Sequence, residues 1–361
     1  MKHIGIALSK NQLMPLTSLR FFAALLVLCQ HYFDFWLGHA GVSFFFVLSG
    51  FILTYNYKDK FSKSGGFKDF YWRRLARIYP THLLTLIITL PIFIHGITSG
   101  KGVAEYAIEL IANIALIQSF FPSPGIYFSL NSVSWSISDE MFFYAVFPFL
   151  LSWLGGLRVP ARSRAFGFLT MAAVMLIALW VLFWKDSTII DPTTHWVFYI
   201  NPFFRLLEFT LGIGIGLNFY DRSSTRFTSF HEFTALIFAL ISFAAAYLLP
   251  PRAGVLLLGI WFVPSALLLV HVFARSDGIL SRLLSAKLWI LLGESSFMLY
   301  MIHEPIIRYA TILSKFFKID NFLLSGFAIL ISIAGFLLFE KPMQRFVLGS
   351  IKMREAGAIA P

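Results

Sequence analysis

Arg20 and His31 lie eleven residues apart inside one apolar stretch that begins near Leu16. At about 100° per residue that spacing is close to three turns, so both side chains share a helix face, roughly 16 Å apart along the axis. Ionisable groups inside a bilayer are costly and mark substrate paths or reaction sites. A guanidinium can hold an anion, and an imidazole can act as a general base near neutral pH. Snorkelling to the headgroups is the structural alternative for Arg20. His31 lies too deep for that. Asp34, three residues on, is close enough to orient the ring.

Other chemistry-bearing residues fall in four places. Trp135-Ser136-Ile137-Ser138-Asp139-Glu140 opens an apolar helix with two adjacent acids. Asp139 suits the helix N-terminus, whereas Glu140 points about 100° away, into a helix bundle, as a candidate partner for His31 or Arg205. Arg73, Arg74 and Arg77 precede Tyr79 and Pro80; the pair three apart shares a face, and clustered guanidinium groups bind phosphates bidentately. His303 and Glu304 lie deep in an apolar run before Pro305, whose missing N–H frees a carbonyl. Arg205 and Glu208 form an i, i+3 couple that could simply make a helix insertable. Gly212, Gly214 and Gly216 suit close helix packing. No Cys/His zinc pattern and no Walker loop is present, so no metal is expected. The one cysteine, Cys29, excludes an intrachain disulfide and reads as a small buried residue.

Helices in a membrane must position these groups. The 361-residue chain is 58% hydrophobic and 13% charged, with 42 Phe, which excludes a water-soluble domain. Apolar runs near 14–36, 40–57, 74–97, 136–156, 166–184, 197–219, 232–249, 254–274, 288–312 and 321–340 predict an all-α polytopic membrane protein of about ten spans. The +11 net charge reads as topology rather than as nucleic-acid binding. With both termini cytoplasmic and 103–121 re-entrant or interfacial on the outer side, inner loops collect most Lys and Arg. Outer segments keep Lys101, Lys185, Arg252, Lys315 and Lys318. Arg20 then lies toward the cytoplasm and His31 toward the outer leaflet. Lys58–Arg77 reads as one basic loop. A single domain over 1–361 is expected, without an appended soluble domain.

Taken together, several segments resemble the acyltransferase-3 family of integral membrane O-acyltransferases, which includes bacterial O-antigen and exopolysaccharide acetylases. They are Leu16 to His31, Gly41 to Phe51, Arg73 to Pro80, Trp135 to Ile137 with Glu140, Arg205 to Phe209, and Ser296 and Phe297 with Tyr300, His303 and Pro305. Glu340-Lys341-Pro342 closes the last span as family members do. The family's Arg, ten residues, His pattern falls on Arg20 and His31, and its Arg-x-x-Arg on Arg74 and Arg77. The resemblance implies transfer of an acyl group, usually acetyl from cytoplasmic acetyl-CoA, to a cell-envelope glycan or lipid-linked glycan, in a bacterial plasma membrane. His31 would be the base or a transient acyl carrier, with Glu140 orienting it and Arg20 and Asp34 nearby. Arg73, Arg74 and Arg77 would hold the donor. Ser49, Arg205, Glu208, Tyr300 and His303 would line or support the acyl path. Succinyl or longer donors, and non-glycan acceptors such as macrolides, stay open. The residues alone equally fit a proton-coupled transporter or flippase of a lipid-linked glycan.

Overall fold

The computed structural model describes residues 13–34, 37–61, 66–97, 102–156, 191–221, 226–248 and 259–357. Regular structure among them is helical; Phe227 and Ser276 add one isolated bridge. Helix α1 (Met14–Phe33) starts beside Pro15 and ends where Asp34 turns left-handed, at φ 53°, its amide bonding to the Cys29 carbonyl. Both Arg20 and His31 therefore ride on α1.

Helix α2 (Gly38–Tyr57) is the most enclosed of the candidate spans. Its glycines explain why. A Cβ at Gly41 would strike the Ala23 carbonyl of α1, and one at Gly50 would strike the Phe209 carbonyl. Small residues let helix backbones meet where lipid supplies no hydrophobic drive.

Helix α3 (Gly66–Ile97) corrects the expectation of a basic loop. The helix starts eleven residues before Arg77, so Lys68, Arg73, Arg74 and Arg77 sit on its first turns. At 32 residues it spans roughly 48 Å. Helix α4 (Val103–Ile114) has 12 residues, about 18 Å, too short for a hydrocarbon core of about 30 Å. Its end is tied down: Tyr79 donates to the Ile114 carbonyl at 3.1 Å, and His82 Nε2 lies 2.9 Å from the Asn113 carbonyl. The short α5 (Pro124–Tyr127) then leads to α6 (Trp135–Gly156).

Helix α7 (Pro192–His195), capped by Asp191, runs through a π-turn over Trp196–Ile200 into α8 (Pro202–Asp221). The expected span 197–219 thus begins earlier and breaks at Asn201. Gly212 of α8 abuts the Val47 carbonyl of α2. Then follow α9 (Ser229–Leu248), α10 (Val263–Phe273), α11 (Ile279–Leu284), α12 (Lys287–Glu294), α13 (Ser296–Leu313), α14 (Asn321–Gly335) and α15 (Lys341–Gly357).

Seven helices among the described residues are long and apolar enough to cross a membrane. The chain is therefore a multi-pass membrane protein whose described regular structure is helical. Of the other three expected spans, 166–184 lies outside the described residues. The run 254–274 is described from 259 onward, as Ile260–Phe273. The run 288–312 is divided at Ser295 between α12 and α13. The last span does not stop at Glu340: a π-turn over Phe336–Glu340 carries it into α15. Exposed side chains such as Leu248 and Leu338 suit lipid.

Candidate active site

Three arginines converge on one cavity of about 220 Å³. Arg20 comes from α1, and Arg74 and Arg77 from α3, one turn apart. The Arg74 guanidinium lies between the rings of Tyr57 and Tyr144, 5.8 Å from each centroid. Its Nε is buried with no hydrogen-bond partner among the described residues. Glu140 of α6 and Ser49 of α2 reach the same cavity. Tyr144 donates to Glu140 Oε1, and Ser49 donates to the same oxygen at 3.1 Å. Glu340 lies within electrostatic reach of Arg20 and Arg77. Three cations thus line the cavity beside one carboxylate, Glu140, with Glu340 outside the lining, a balance that suits an anionic ligand. Arg73 is not among them; it pairs with Asp69 at 2.7 Å on the surface.

His31 opens onto a second, smaller cavity of about 100 Å³. His31 Nδ1 lies 2.8 Å from the Val27 carbonyl, one turn back on α1. A carbonyl can only accept, so Nδ1 carries the hydrogen. With Nδ1–H so engaged, Nε2 is the nitrogen on which the neutral tautomer keeps its lone pair, the form a base needs. His303 is held the same way, Nδ1 at 3.1 Å from the Leu299 carbonyl. Its bare Nε2 therefore faces His31 Nδ1, at 3.4 Å, and the two rings pack edge to face at 5.0 Å.

This arrangement corrects two expectations about His31. Asp34 sits exposed at the left-handed end of α1, and the bonds on the ring come from Val27 and His303. Glu140 lines the arginine cavity and not the histidine pocket. Of the adjacent acids, Asp139 is fully buried and lines neither cavity.

Helix α13 supplies Tyr300 and His303, and continues through Pro305. Proline cannot donate, so the Met301 carbonyl loses its helical partner. Asn131 fills the vacancy, donating at 2.9 Å. Tyr32 donates to the His303 carbonyl at 2.9 Å, and Ser132 to Glu304 at 2.9 Å. The ring of His303 is thus held by its helix and by α1.

Arg205 and Glu208 bond each other at 2.7 Å with side chains 0% and 3% exposed. Ser43 of α2 donates to Glu208 at 3.2 Å, and Arg205 lies over the rings of Phe46 and Tyr199, 5.1 and 5.2 Å from their centroids. Neither residue lines the two cavities. The pair braces α8 against α2.

Several site residues escaped the sequence reading. Glu340 was visible as an acid ending an apolar run, but its place at the end of a π-turn near Arg20 and Arg77 was not. His39 and His195 join His31 in the second pocket. Nothing in their local sequence distinguishes them.

Residues 16–341 match the acyltransferase domain family. The chain is similar to acyltransferase MdmB of Streptomyces mycarofaciens, at 32% identity over 82% of this chain and 80% of that protein. It is similar also to peptidoglycan O-acetyltransferase OatA of Listeria monocytogenes, at 24% identity over 84% of this chain; there it spans about half, 50%, of the relative's length. No solved structure matches the chain.

Proposed function

The chain belongs to this acyltransferase family, and from that premise we propose that it is a membrane O-acetyltransferase using acetyl-CoA on a cell-envelope glycan. Membership of an acyltransferase family sets aside the transporter reading. The observation that carries the proposal is the division of labour along α1. One end delivers Arg20 to a cavity with Arg74 and Arg77; the other delivers His31 to a separate pocket.

The phosphates of the donor would dock on Arg74 and Arg77, since guanidinium groups bind phosphate oxygens bidentately. The pantetheine arm would run past Arg20 and Ser49 toward His31. An acceptor hydroxyl in the histidine pocket would give its proton to His31 Nε2 as its oxygen attacks the thioester carbonyl. The C–S bond breaks, CoA leaves as the thiolate, and His31 returns the proton to it. As His31 becomes imidazolium, its Nδ1–H, held at the Val27 carbonyl, also lies beside the Nε2 lone pair of His303, and the two acceptors together would stabilise the charge without a carboxylate. In the membrane, the arginine cavity would face the cytoplasm, where acyl-CoA resides, and His31 the outer side of a bacterial plasma membrane. The peptidoglycan acceptor in the name of the Listeria relative supports a glycan acceptor.

Titration of the purified, detergent-solubilised protein with acetyl-CoA, beside an Arg74→Ala/Arg77→Ala variant, tests the donor site without knowledge of the acceptor. Saturable binding that the variant loses is the expected result. Folded wild-type protein that binds no acetyl-CoA refutes it.

A further inference from the structure

The arginine cavity and the histidine pocket have two lining residues in common, Val42 of α2 and Tyr300 of α13. These two side chains therefore stand between the two cavities. Both are held. Tyr300 shares a hydrogen bond with Ser136 at 2.7 Å, and its hydroxyl lies 3.2 Å from the Val133 carbonyl. Ser136 lines the arginine cavity, and Val133 lines the histidine pocket, so the hydroxyl is anchored at the boundary itself. The ring is packed edge to face against Phe45, at 5.9 Å, and against His303, at 6.0 Å.

Val42 has no more freedom. Its side chain is β-branched and therefore stiff about χ1. Its neighbour Gly41 lies so near the Ala23 carbonyl that α2 and α1 already touch through backbone. One aliphatic and one aromatic side chain, both buried, thus separate the two cavities.

We propose that Val42 and Tyr300 form the aperture that selects the acyl group by size. The inference rests on the reading of the arginine cavity as the acyl-CoA site. The thioester must reach the aperture for a hydroxyl on the far side to attack it. The acyl substituent then lies between or beyond Val42 and Tyr300, and the width of that gap sets the largest group admitted. The pocket beyond holds only about 100 Å³, which suits a short acyl chain.

The test uses the full-length protein in detergent and the affinities of acetyl-, butyryl- and hexanoyl-CoA for wild type, Val42→Ala, Val42→Leu and Tyr300→Phe. Comparing donors within one variant makes the result independent of the fraction that folds. Val42→Ala is expected to raise the butyryl-to-acetyl affinity ratio by up to about fourfold for each methylene newly buried. Val42→Leu should lower the ratio. Tyr300→Phe, which keeps the ring but loses both anchors, should relax discrimination in the direction of Val42→Ala. Acyl-CoA binding with the same chain-length preference in all four proteins overturns the aperture while leaving the donor site standing. Folded wild type that binds none of the three donors overturns the donor site, and the aperture with it.

Discussion

His303 Nε2 stands 3.4 Å from His31 Nδ1, although the two residues are 272 positions apart in the chain. Each ring donates its own Nδ1–H to the carbonyl four residues back. The consequence is directional: His31 presents Nε2 as base, and the Nε2 lone pair of His303 stands beside the Nδ1–H that Val27 holds. A hydrogen bond that gains charge is worth about 1.5–3 kcal/mol. His303→Leu is therefore expected to lower kcat roughly 10- to 100-fold with the donor KM nearly unchanged. His31→Ala should remove the general-base contribution, about 10²–10⁴-fold. Steady-state kinetics on folded variants checks both. A His303 variant that changed only KM would refute the relay.

The arginines should separate by position rather than by charge. Arg74→Ala and Arg77→Ala are each expected to weaken acetyl-CoA binding about tenfold or more, from the loss of a charge-assisted contact. Arg73→Ala, which removes only a surface pair with Asp69, should leave affinity close to wild type. Calorimetric titration distinguishes the three. Equal losses at all three positions would point to a general field and not to a built site.

The Arg205–Glu208 pair yields a stability prediction. Breaking a buried ion pair from one side strands the other charge and costs about 3–5 kcal/mol. Arg205→Met alone should lower the apparent melting temperature in detergent markedly. Arg205→Met with Glu208→Leu should recover much of the loss and keep turnover. Failure of turnover in a stable double variant would give the pair a role in chemistry.

Helix contacts through glycine should be intolerant of one added methyl. At Gly50 and Gly212 that methyl would meet backbone carbonyls, which cannot swing aside. Overpacking of this kind costs about 1–3 kcal/mol. Gly326→Ala, where nothing lies within 4 Å, should be neutral or mildly stabilising, because alanine favours helix. Thermal unfolding followed by size-exclusion profile is the measurement.

Topology is open to a direct assay. On the proposed orientation, with both termini cytoplasmic and α4 too short to cross, a reporter fused after Gly156 should read as cytoplasmic. An outward-facing reporter there would reverse the assignment of the cavities to the two sides of the membrane.

The sequence alone determined what spacing along a helix can determine. Eleven residues put Arg20 and His31 on one face, three residues did the same for Arg74 and Arg77, and Pro305 announced a freed carbonyl. Composition settled the membrane class, and the series of motifs indicated the family that the comparisons then showed. Which faces meet was beyond local reasoning. Asp34 and Glu140 looked like partners for His31 because one was near in sequence and the other pointed into the bundle, toward His31 or Arg205. The last turn of α1 instead leaves Asp34 outside, and Glu140 turns toward Ser49 and Tyr144. The basic stretch before Arg77 looked like a loop through its Gly and Ser content, yet α3 begins at Gly66. A single helix fixes angles about its own axis. How helices rotate against one another is decided by contacts between them, among them the backbone contacts at Gly41, Gly50 and Gly212, the Arg205–Glu208–Ser43 cluster and the bonds from Asn131 to Met301 and from Tyr32 to His303. That rotation put His303 behind His31, and it put Val42 and Tyr300 between the two cavities.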